Sequence, residues 1–369
     1  MADVVNVEAT GLIEPIARAS WLGPAARKLA LKRLAAETFD VLVIGGGVTG
    51  CGVALDAATR GLTVALVEKR DFAAGTSSRS SKLIHGGLRY LEHLDVKLVR
   101  EALHERRLLL ETIAPHLVRA TPFLFPLKRP LWDRFFMGSG LFIYDALAGS
   151  HSALPRHRHL SRAACLHDVP ALRADALCGG IRYYDAQVDD ARFAVALART
   201  AAACGAVAQD EEADRELEVR AGVVVNATGV WTTETERLAG VKDPLMLQPS
   251  KGIHLVVPKD RIRSAYALIL PTKRSVLFVL PWGEHWIIGT TDTAWALHLD
   301  HPAANRADIE YLLDQVNEVL VRPLRRADVV GVYAGLRPLA SAGANIVAAA
   351  IVAATSRAAF PAAKTGASA

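Results

Sequence analysis

Three glycines and one glutamate have the types and spacing of a dinucleotide-binding motif. Gly45, Gly47 and Gly50 form the pattern G-x-G-x-x-G, and Glu68 follows eighteen residues after Gly50. The first glycine permits a tight turn, the second lets the backbone approach a pyrophosphate, and the third lets a helix pack on a strand. The pyrophosphate lies at the helix N-terminus, and the acidic side chain accepts hydrogen bonds from a ribose.

The elements that must position this motif are readable from its flanking residues. An apolar run at 41–44 predicts a buried strand, and a helical pattern follows as far as Arg60, where Gly61 can end it. A second apolar run, 64–67, predicts another strand directly before Glu68. This strand, helix, strand and acid order predicts dinucleotide binding and does not distinguish NAD from FAD.

A second segment points to the same domain from far along the chain. The apolar run 223–225 predicts a buried strand, and it ends in the small-residue turn Asn226-Ala227-Thr228-Gly229. Such a turn lets the chain pass close to a nucleotide at the carboxyl ends of parallel strands. We therefore expect a discontinuous nucleotide domain.

Two further polar segments follow the motif. Residues 75–82 are rich in hydroxyl groups and backbone donors, which suits wrapping phosphates; the alternative is an ordinary Ser-rich linker. Arg89 and Tyr90 come directly after the diglycine Gly86-Gly87. An arginine there is a candidate anion clamp, because its planar fork matches a phosphate or carboxylate, although it could equally be a surface residue.

Bulk properties bound the remaining possibilities. The chain has 369 residues, a net charge of +5 and a pI near 9.1. That length suits two domains, and the mild positive charge predicts no nucleic acid but fits an anionic substrate or membrane surface. The four cysteines lie far apart, which indicates reduced thiols in a cytoplasmic protein and no metal site. We expect no membrane-spanning helix and no secretory signal.

Two segments leave alternatives open. Residues 16–36 predict a basic helix, which could lie in a membrane interface or, as we favour, pack on its own domain or extend partly disordered. Residues 120–150 are rich in Pro, Phe and Trp. They form either a core cluster or a surface that faces a membrane or quinone.

Long runs of the sequence resemble the FAD-dependent glycerol-3-phosphate dehydrogenases. The resemblance rests on DVLVIGGGVTGCGVALDAATRGLTVALVEKRDFAAGTSSRSSKLIHGGLRYLEH and continues through YYDAQVDDAR, VVVNATGVW, KGIHLVVP, WIIGTTD and GLRPL, over about residues 39–339. It implies FAD as cofactor, sn-glycerol 3-phosphate as substrate and a quinone as electron acceptor. It also implies a peripheral protein on the inner face of the plasma membrane, and it leaves a homodimer open.

The same resemblance implies residue roles. The residues implied to bind FAD are Gly45, Gly47, Gly50, Glu68, Thr76, Ser77, Ser78, Ser81, Lys82, Leu83, Ala227, Thr228 and Gly229. Those implied to face the substrate are Arg89, Tyr90, His254 and Arg337, with catalytic roles for Arg89, His254 and Arg337. Two arginines and a histidine suit a dianionic phosphate, and His254 is a candidate proton acceptor for the substrate hydroxyl. The alternative role of His254 is hydrogen bonding to the substrate only.

The predicted fold class is α/β, with a discontinuous Rossmann-like FAD-binding domain and an antiparallel-sheet substrate domain. Short alternating strands separated by Pro and Gly turns after residue 241 predict the antiparallel sheet. The predicted ranges are a basic N-terminal extension at 1–38, the FAD-binding domain at 39–118 and 179–240 with a return near 329–339, the substrate domain at 119–178 and 241–328, and an Ala-rich tail at 340–369.

The sequence also departs from the family it resembles. After GLRPL the family continues with another active-site Arg, a Gly-Gly-Lys-x-Thr-Thr-x-Arg segment and a helical domain, whereas fourteen of residues 340–369 here are alanine. The departure predicts a C-terminally truncated member with weakened FAD binding and activity. The competing hypotheses are a non-catalytic remnant of that family and another flavin oxidase of the same fold.

Overall fold

The computed structural model describes residues 21–93, 95–149, 154–210, 216–272 and 276–340. The chain forms two compact units. Of the described residues, the first unit comprises those up to Ser78, those from Asp190 to Pro249 and those at 337–340. The second unit comprises the described residues of Arg79–Asp189 and Ser250–Leu336.

Strands and helices alternate over much of the described chain. The strands are β1 Thr38–Ile44, β2 Val64–Val67, β3 Leu83–Ile84, β4 Arg119–Leu127, β5 Arg158–Ser161, β6 Gly179–Gln187, β7 Val207–Gln209, β8 Arg220–Asn226, β9 Leu247–Pro258, β10 Ala267–Pro271, β11 Val276–Trp282, β12 His285–Gly289, β13 Thr293–Ala294 and β14 Gly331–Ala340. The helices are α1 Pro24–Ala36, α2 Val48–Thr59, α3 Val96–Leu108, α4 Trp132–Ala148, α5 Arg162–Asp168, α6 Asp190–Ala203, α7 Thr232–Leu238 and α8 Arg306–Asn317.

The first unit is built on a parallel sheet with the strand order β7-β2-β1-β8. The register pairs Ile44 of β1 with Val67 of β2 and with Asn226 of β8. The three strands therefore end at the same edge, and the segments that follow them begin there. In open parallel sheets this edge is where ligands bind.

Helices cover both faces of this sheet. Small residues on α2 and α6, among them Cys51, Ala54 and Ala198, are fully buried against the strands and let the helices approach closely. On the other side Leu34 of α1 is 1% exposed and packs with Phe39. The predicted N-terminal helix thus begins at Pro24 and packs on its own unit; residues 16–20 lie outside the described part of the chain.

The second unit is built on a mixed sheet with the strand order β13-β9-β12-β11-β10-β4-β6-β3, in which β14 pairs with β9 and β5 with β6. The pairs along this order and the pair of β5 with β6 are antiparallel, apart from β10 with β4, which run parallel. Successive residues of β4 alternate between two cores: Phe123 packs with α3 and α4, and Leu124 with α5 and α8. The predicted α/β fold class is confirmed.

Four predicted domain ranges differ from the units observed. Residues 79–118, 179–189 and 329–336 are predicted in the FAD-binding domain but belong to the second unit, and residues 241–249 are predicted in the substrate domain but belong to the first. The reason is long-range pairing: β6 pairs with β4 over nine residue pairs and also with β3. A strand's neighbours in a sheet cannot be read from its own local pattern. From residue 341 onward the predicted Ala-rich tail lies outside the residues that the structure describes.

None of the described helices has the length and apolar character needed to cross a membrane.

Candidate active site

The first and third motif glycines, Gly45 and Gly50, lie where a side chain would collide with backbone. Gly45 has φ +115°, and a Cβ there would stand 2.4 Å from the carbonyl oxygen of Ala227. A Cβ on Gly50 would stand 1.8 Å from the carbonyl oxygen of Gly45. Both distances are far inside van der Waals contact, so only glycine permits β1, β8 and α2 to meet at this edge of the sheet.

Glu68 closes the turn that follows β1. Its carboxylate accepts the backbone N–H of Gly46 at 2.7 Å and that of Arg70 at 2.9 Å, one on each oxygen. Each oxygen keeps a further lone pair. Glu68 can therefore hold the glycine loop in place and still accept a hydroxyl donor from outside the protein.

The N-terminus of α2 combines with the Ser-rich segment. Ser77 Oγ accepts the N–H of Val48 at 2.9 Å, and the N-cap position is Gly47, which has no side chain to cap the helix. The first N–H groups of a helix have no acceptor within the helix. This end of α2 therefore presents donors and the positive end of the helix dipole to an anion.

The turn after β8 is fixed by hydrogen bonds of Asn226, a residue to which the sequence analysis gives no role in the site. Asn226 Oδ1 accepts the Thr228 hydroxyl at 2.7 Å, and its amide donates to the Thr232 carbonyl at 3.2 Å. Thr228 also contacts Thr235 Oγ1 at 3.1 Å. The position of Asn226 at the end of a buried strand was the available signal for this network.

Cys51 lies beneath the glycine loop, and its thiol is unreactive. Its thiol is fully buried, and burial, followed by the charge of Glu68, raises its pKa to about 12. Because the thiolate is the nucleophile, this cysteine packs the helix against the sheet and does no redox chemistry.

Alkylation of native protein at neutral pH is therefore expected to spare Cys51 and to label Cys204. Cys204 is exposed, whereas Cys51 and Cys165 are buried and the pKa of Cys165 is raised to about 11, chiefly by burial. Peptide mapping after iodoacetamide treatment measures this, and the same reaction in denaturant should label all of them. Labelling of Cys51 in folded protein would contradict the burial described here.

His254 is a buried candidate catalytic residue of the second unit. It lies on β9, is 3% exposed, and its Nε2 is 2.8 Å from the hydroxyl oxygen of Ser81. Its ring stacks on Tyr333 at a centroid distance of 4.7 Å. A Cβ on Gly289 would stand 2.3 Å from His254 Cδ2, so the glycine is required for the ring position.

Lys82 lies beside the same aromatic group. It is 8% exposed with φ +61°, and its Nζ is 5.7 Å from the ring centroid of Tyr333 and 5.8 Å from that of Trp282. Both distances are in the range of a cation–π contact. Tyr333, which donates to the Ser80 carbonyl at 3.0 Å, and Trp282 were missed from the sequence because they come from distant strands.

The diglycine turn holds the segment that bears Arg89 and Tyr90. A Cβ on Gly86 would stand 2.3 Å from Leu103, and Gly87 has φ +75° with Tyr90 2.5 Å from its Cβ position. Tyr90 N–H donates to the Gly87 carbonyl at 2.8 Å and the Tyr90 side chain is 42% exposed. Arg89 lies in the 3-10 segment Leu88–His93, and its side chain is outside the described residues.

A buried ionic network anchors that turn. Arg106 donates to Asp185 Oδ1 at 2.6 Å and to the Tyr144 hydroxyl at 2.9 Å, and the Gly86 N–H donates to the same hydroxyl at 2.9 Å. The side chains of Arg106 and Asp185 are 4% and 6% exposed. Burial, with Asp185 second, raises the pKa of Tyr144 well above its ordinary value, so Tyr144 is a neutral donor and acceptor.

Asp185→Ala is expected to destabilise the second unit by about 3–5 kcal/mol, because it leaves Arg106 buried without its counter-charge. Denaturant unfolding measures the loss. The matched control is Asp56→Ala, which removes the partner of an exposed pair with Arg60 and should cost no more than about 1 kcal/mol. Equal losses in the two variants would show that the buried network does not anchor the turn.

The remaining predicted residues fall in three places. Thr76 and Ser78 lie in the 3-10 turn of the first unit beside Ser77, and Leu83 lies on β3 of the second unit. Gly229 has φ +58° and begins the short turn before α7. Arg337 is half-buried on β14 and belongs to the first unit, whereas His254 belongs to the second. The convergence of Arg337, Arg89 and His254 therefore stays a prediction.

The first unit fits a dinucleotide. Among the described residues no group of His, Cys, Asp or Glu side chains could hold a metal ion. Gly45 and Gly50 let β1, β8 and the start of α2 approach closely, so that the N-terminus of α2 lies at the turn that follows β1. Glu68 stands at the end of β2, where a ribose would lie.

Comparison with known proteins agrees with this geometry. The family model described as FAD dependent oxidoreductase matches residues 40–357. The chain belongs to this family. The predicted family resemblance and the choice of FAD over NAD are confirmed at this level. The flavoprotein family accounts for the parallel sheet with its glycine loop and for the second, largely antiparallel sheet.

Individual relatives of this flavoprotein were also found. Glycerol-3-phosphate dehydrogenase 2 of Mycobacterium tuberculosis is 56% identical over 342 residues, which cover 87% of this chain and 58% of that protein. The mitochondrial glycerol-3-phosphate dehydrogenase of Rattus norvegicus is 40% identical over 370 residues, covering 90% of this chain and 50% of the relative. The chain thus spans between half and three-fifths of the length of these relatives.

A solved structure of a protein with the same name also matches this chain. The glycerol-3-phosphate dehydrogenase of Bacillus halodurans, complexed with FAD, matches with a TM-score of 0.69 and 30% identity, covering 86% of this chain and 60% of that chain.

Proposed function

We propose that this protein oxidises sn-glycerol 3-phosphate to dihydroxyacetone phosphate with FAD as cofactor, and passes the electrons to a quinone. The observation that carries the proposal is the 56% identity to a glycerol-3-phosphate dehydrogenase over most of this chain. The burial of His254 against Ser81 and Tyr333 supports it, because a histidine held in this way suits proton transfer from an alcohol.

The first unit supplies the residues that would hold FAD. Gly45, Gly47 and Gly50 leave room for the pyrophosphate at the N-terminus of α2, and Glu68 would accept a ribose hydroxyl. Ser77 would stand beside the phosphates through its contact with Val48. When bound, FAD supplies the acceptor for the hydride of the carbinol carbon.

The second unit supplies the residues that would act on the alcohol. In the tautomer that carries its proton on Nδ1, the basic nitrogen of His254 is Nε2, whose one lone pair accepts the Ser81 hydroxyl at 2.8 Å. The Ser81 hydroxyl would turn to another acceptor when the substrate binds, and Nε2 would then accept the hydroxyl proton of the substrate. Arg89 and Arg337 would bind the phosphate, because the guanidinium fork forms paired, charge-assisted hydrogen bonds with it, and Tyr90 would line the substrate.

The electron acceptor and the cellular location are further parts of the proposal. A quinone acceptor places the protein at a membrane, and the mild positive charge of +5 suits the anionic inner face of the plasma membrane. We propose a peripheral cytoplasmic protein. A homodimer also stays a prediction.

Dye reduction with a panel of alcohols tests the substrate. FAD is added in excess, because the weakened cofactor binding predicted from the sequence is untested. We expect reduction with sn-glycerol 3-phosphate and a rate at least about tenfold lower with glycerol, which lacks the phosphate that forms charge-assisted bonds. Equal rates with both, or a higher rate with an amino acid, would contradict the proposal.

A further inference from the structure

The outer face of α4 is apolar and exposed along the helix. Six large apolar side chains point outward, each between 46% and 83% exposed: Leu131, Trp132, Phe135, Phe136, Phe142 and Ile143. The opposite side buries Leu141 and Tyr144 in the core of the second unit. Ser139 is the polar residue within the outer stripe.

This arrangement is the reverse of an ordinary surface helix. A helix on a soluble domain has its apolar stripe inward and polar residues outward. Here both sides are apolar, and the exposed side carries one tryptophan and three phenylalanines. A contiguous apolar surface of this kind marks a site of interaction with a protein or a membrane.

The residues around this face are strongly basic. Residues 128–159 contain five Lys or Arg and two Asp, which leaves a net charge of +3 before any histidine is protonated. Four of the basic residues are exposed, two that precede α4 in the sequence, Lys128 and Arg129, and two that follow it, Arg156 and Arg158.

The two acids of this segment are turned to local partners. Asp133 accepts the backbone N–H groups of Lys128 and Arg129 at 3.0 and 2.7 Å. Asp145 is 2.7 Å from His157 Nδ1. The exposed stripe therefore carries no acidic side chain, and the positive charges beside it are not balanced by acids on the stripe.

We propose that the outer face of α4 docks on the surface of an anionic lipid bilayer. The aromatic side chains enter the interface, and the flanking Lys and Arg residues bind the headgroups, which is the composition that interfacial helices use. The proposal deepens the peripheral location proposed above and rests on it. Vesicle binding requires neither FAD nor substrate, so the two proposals can fail separately.

A second copy of the chain fits this face less well. In a twofold dimer through this face the same positive segment would face itself, and the like charges would repel. An anionic bilayer has no such limitation.

Flotation with lipid vesicles tests the proposal on the full chain. We expect binding to vesicles of phosphatidylcholine mixed with phosphatidylglycerol, and at least about tenfold weaker binding to phosphatidylcholine alone, because the headgroup charge is lost. Phe135→Ser/Phe142→Ser should weaken binding to the mixed vesicles by about tenfold or more, because it removes two aromatic groups that the bilayer would bury. Arg156→Gln/Arg158→Gln should weaken binding to the mixed vesicles only.

The matched control replaces two exposed apolar residues elsewhere in the second unit, Leu297→Ser/Val330→Ser, which are 69% and 59% exposed. It should bind as the unaltered protein does. Brominated lipid should quench the fluorescence of Trp132, and Trp132→Phe should remove that quenching. Equal binding of the aromatic and control variants, no binding of the unaltered protein to anionic vesicles, or a dimer that Phe135→Ser/Phe142→Ser converts to a monomer would overturn the proposal.

Discussion

Gly50→Ala is expected to remove tight FAD binding, whereas Gly52→Ala, on the same helix, leaves it intact. The added methyl group on residue 50 would lie 1.8 Å from the carbonyl oxygen of Gly45, and neither group is a flexible side chain that can turn away. Either the start of α2 moves away from β1 or the glycine loop changes shape. Both changes displace the N–H groups that face the pyrophosphate.

The size of this effect follows from overpacking. A forced contact inside a rigid region costs about 1–3 kcal/mol or more, which is roughly 10- to 100-fold in FAD affinity when the loop absorbs the strain. At Gly52 no atom lies within 4 Å of the added Cβ. Alanine in that helical position should raise the free energy of unfolding by about 0.5–1 kcal/mol.

Titration of apoprotein with FAD, followed by flavin fluorescence, compares the two variants, and thermal unfolding shows whether each is folded. The same FAD affinity in both variants would show that the glycine loop does not hold the cofactor.

His254→Asn is expected to lower kcat with glycerol 3-phosphate by about 10²- to 10⁴-fold, the range typical of a removed general base. The amide can still form a hydrogen bond, but it cannot accept the proton of the alcohol. A base must be unprotonated to act, so kcat of the unaltered enzyme should fall at acid pH, and the variant should lose that dependence.

Two further variants separate proton transfer from positioning. Ser81→Ala removes the hydroxyl 2.8 Å from His254 Nε2 and should lower kcat by much less than His254→Asn, because the base itself remains. Gly289→Ala places a methyl group 2.3 Å from the ring and should lower kcat although the histidine is retained. If His254→Asn raises KM and leaves kcat unchanged, His254 binds the substrate and is not the base.

The glycine motif was predictable because it is local. Its strand, helix and second strand follow one another within thirty residues, and the carboxyl ends of β1 and β2 must meet when the strands pair in parallel. The turn after β8 was predictable for a related reason: a buried strand that ends in small residues has few other places in such a sheet. The positions of Gly45, Glu68 and Ala227 agree with that reasoning.

The domain ranges and the surroundings of His254 depend on long-range contacts. Assigning 79–118 and 179–189 to the second unit requires the pairing of β3 and β4 with β6. These strands lie far apart in sequence, and no local sequence pattern identifies which strand pairs with which. Tyr333 and Gly289 reach His254 from two other strands, and the sequence analysis gives neither of them a role. The buried pair of Arg106 and Asp185 likewise joins a helix to a distant strand.

The most direct test of the central claim is an anaerobic flavin spectrum of the purified chain. With excess FAD present, sn-glycerol 3-phosphate should bleach the flavin absorbance, while glycerol at the same concentration should not. Flavin that dithionite bleaches and glycerol 3-phosphate does not would contradict the proposed substrate. A protein that changes neither the absorbance nor the fluorescence of added FAD would contradict the cofactor site itself.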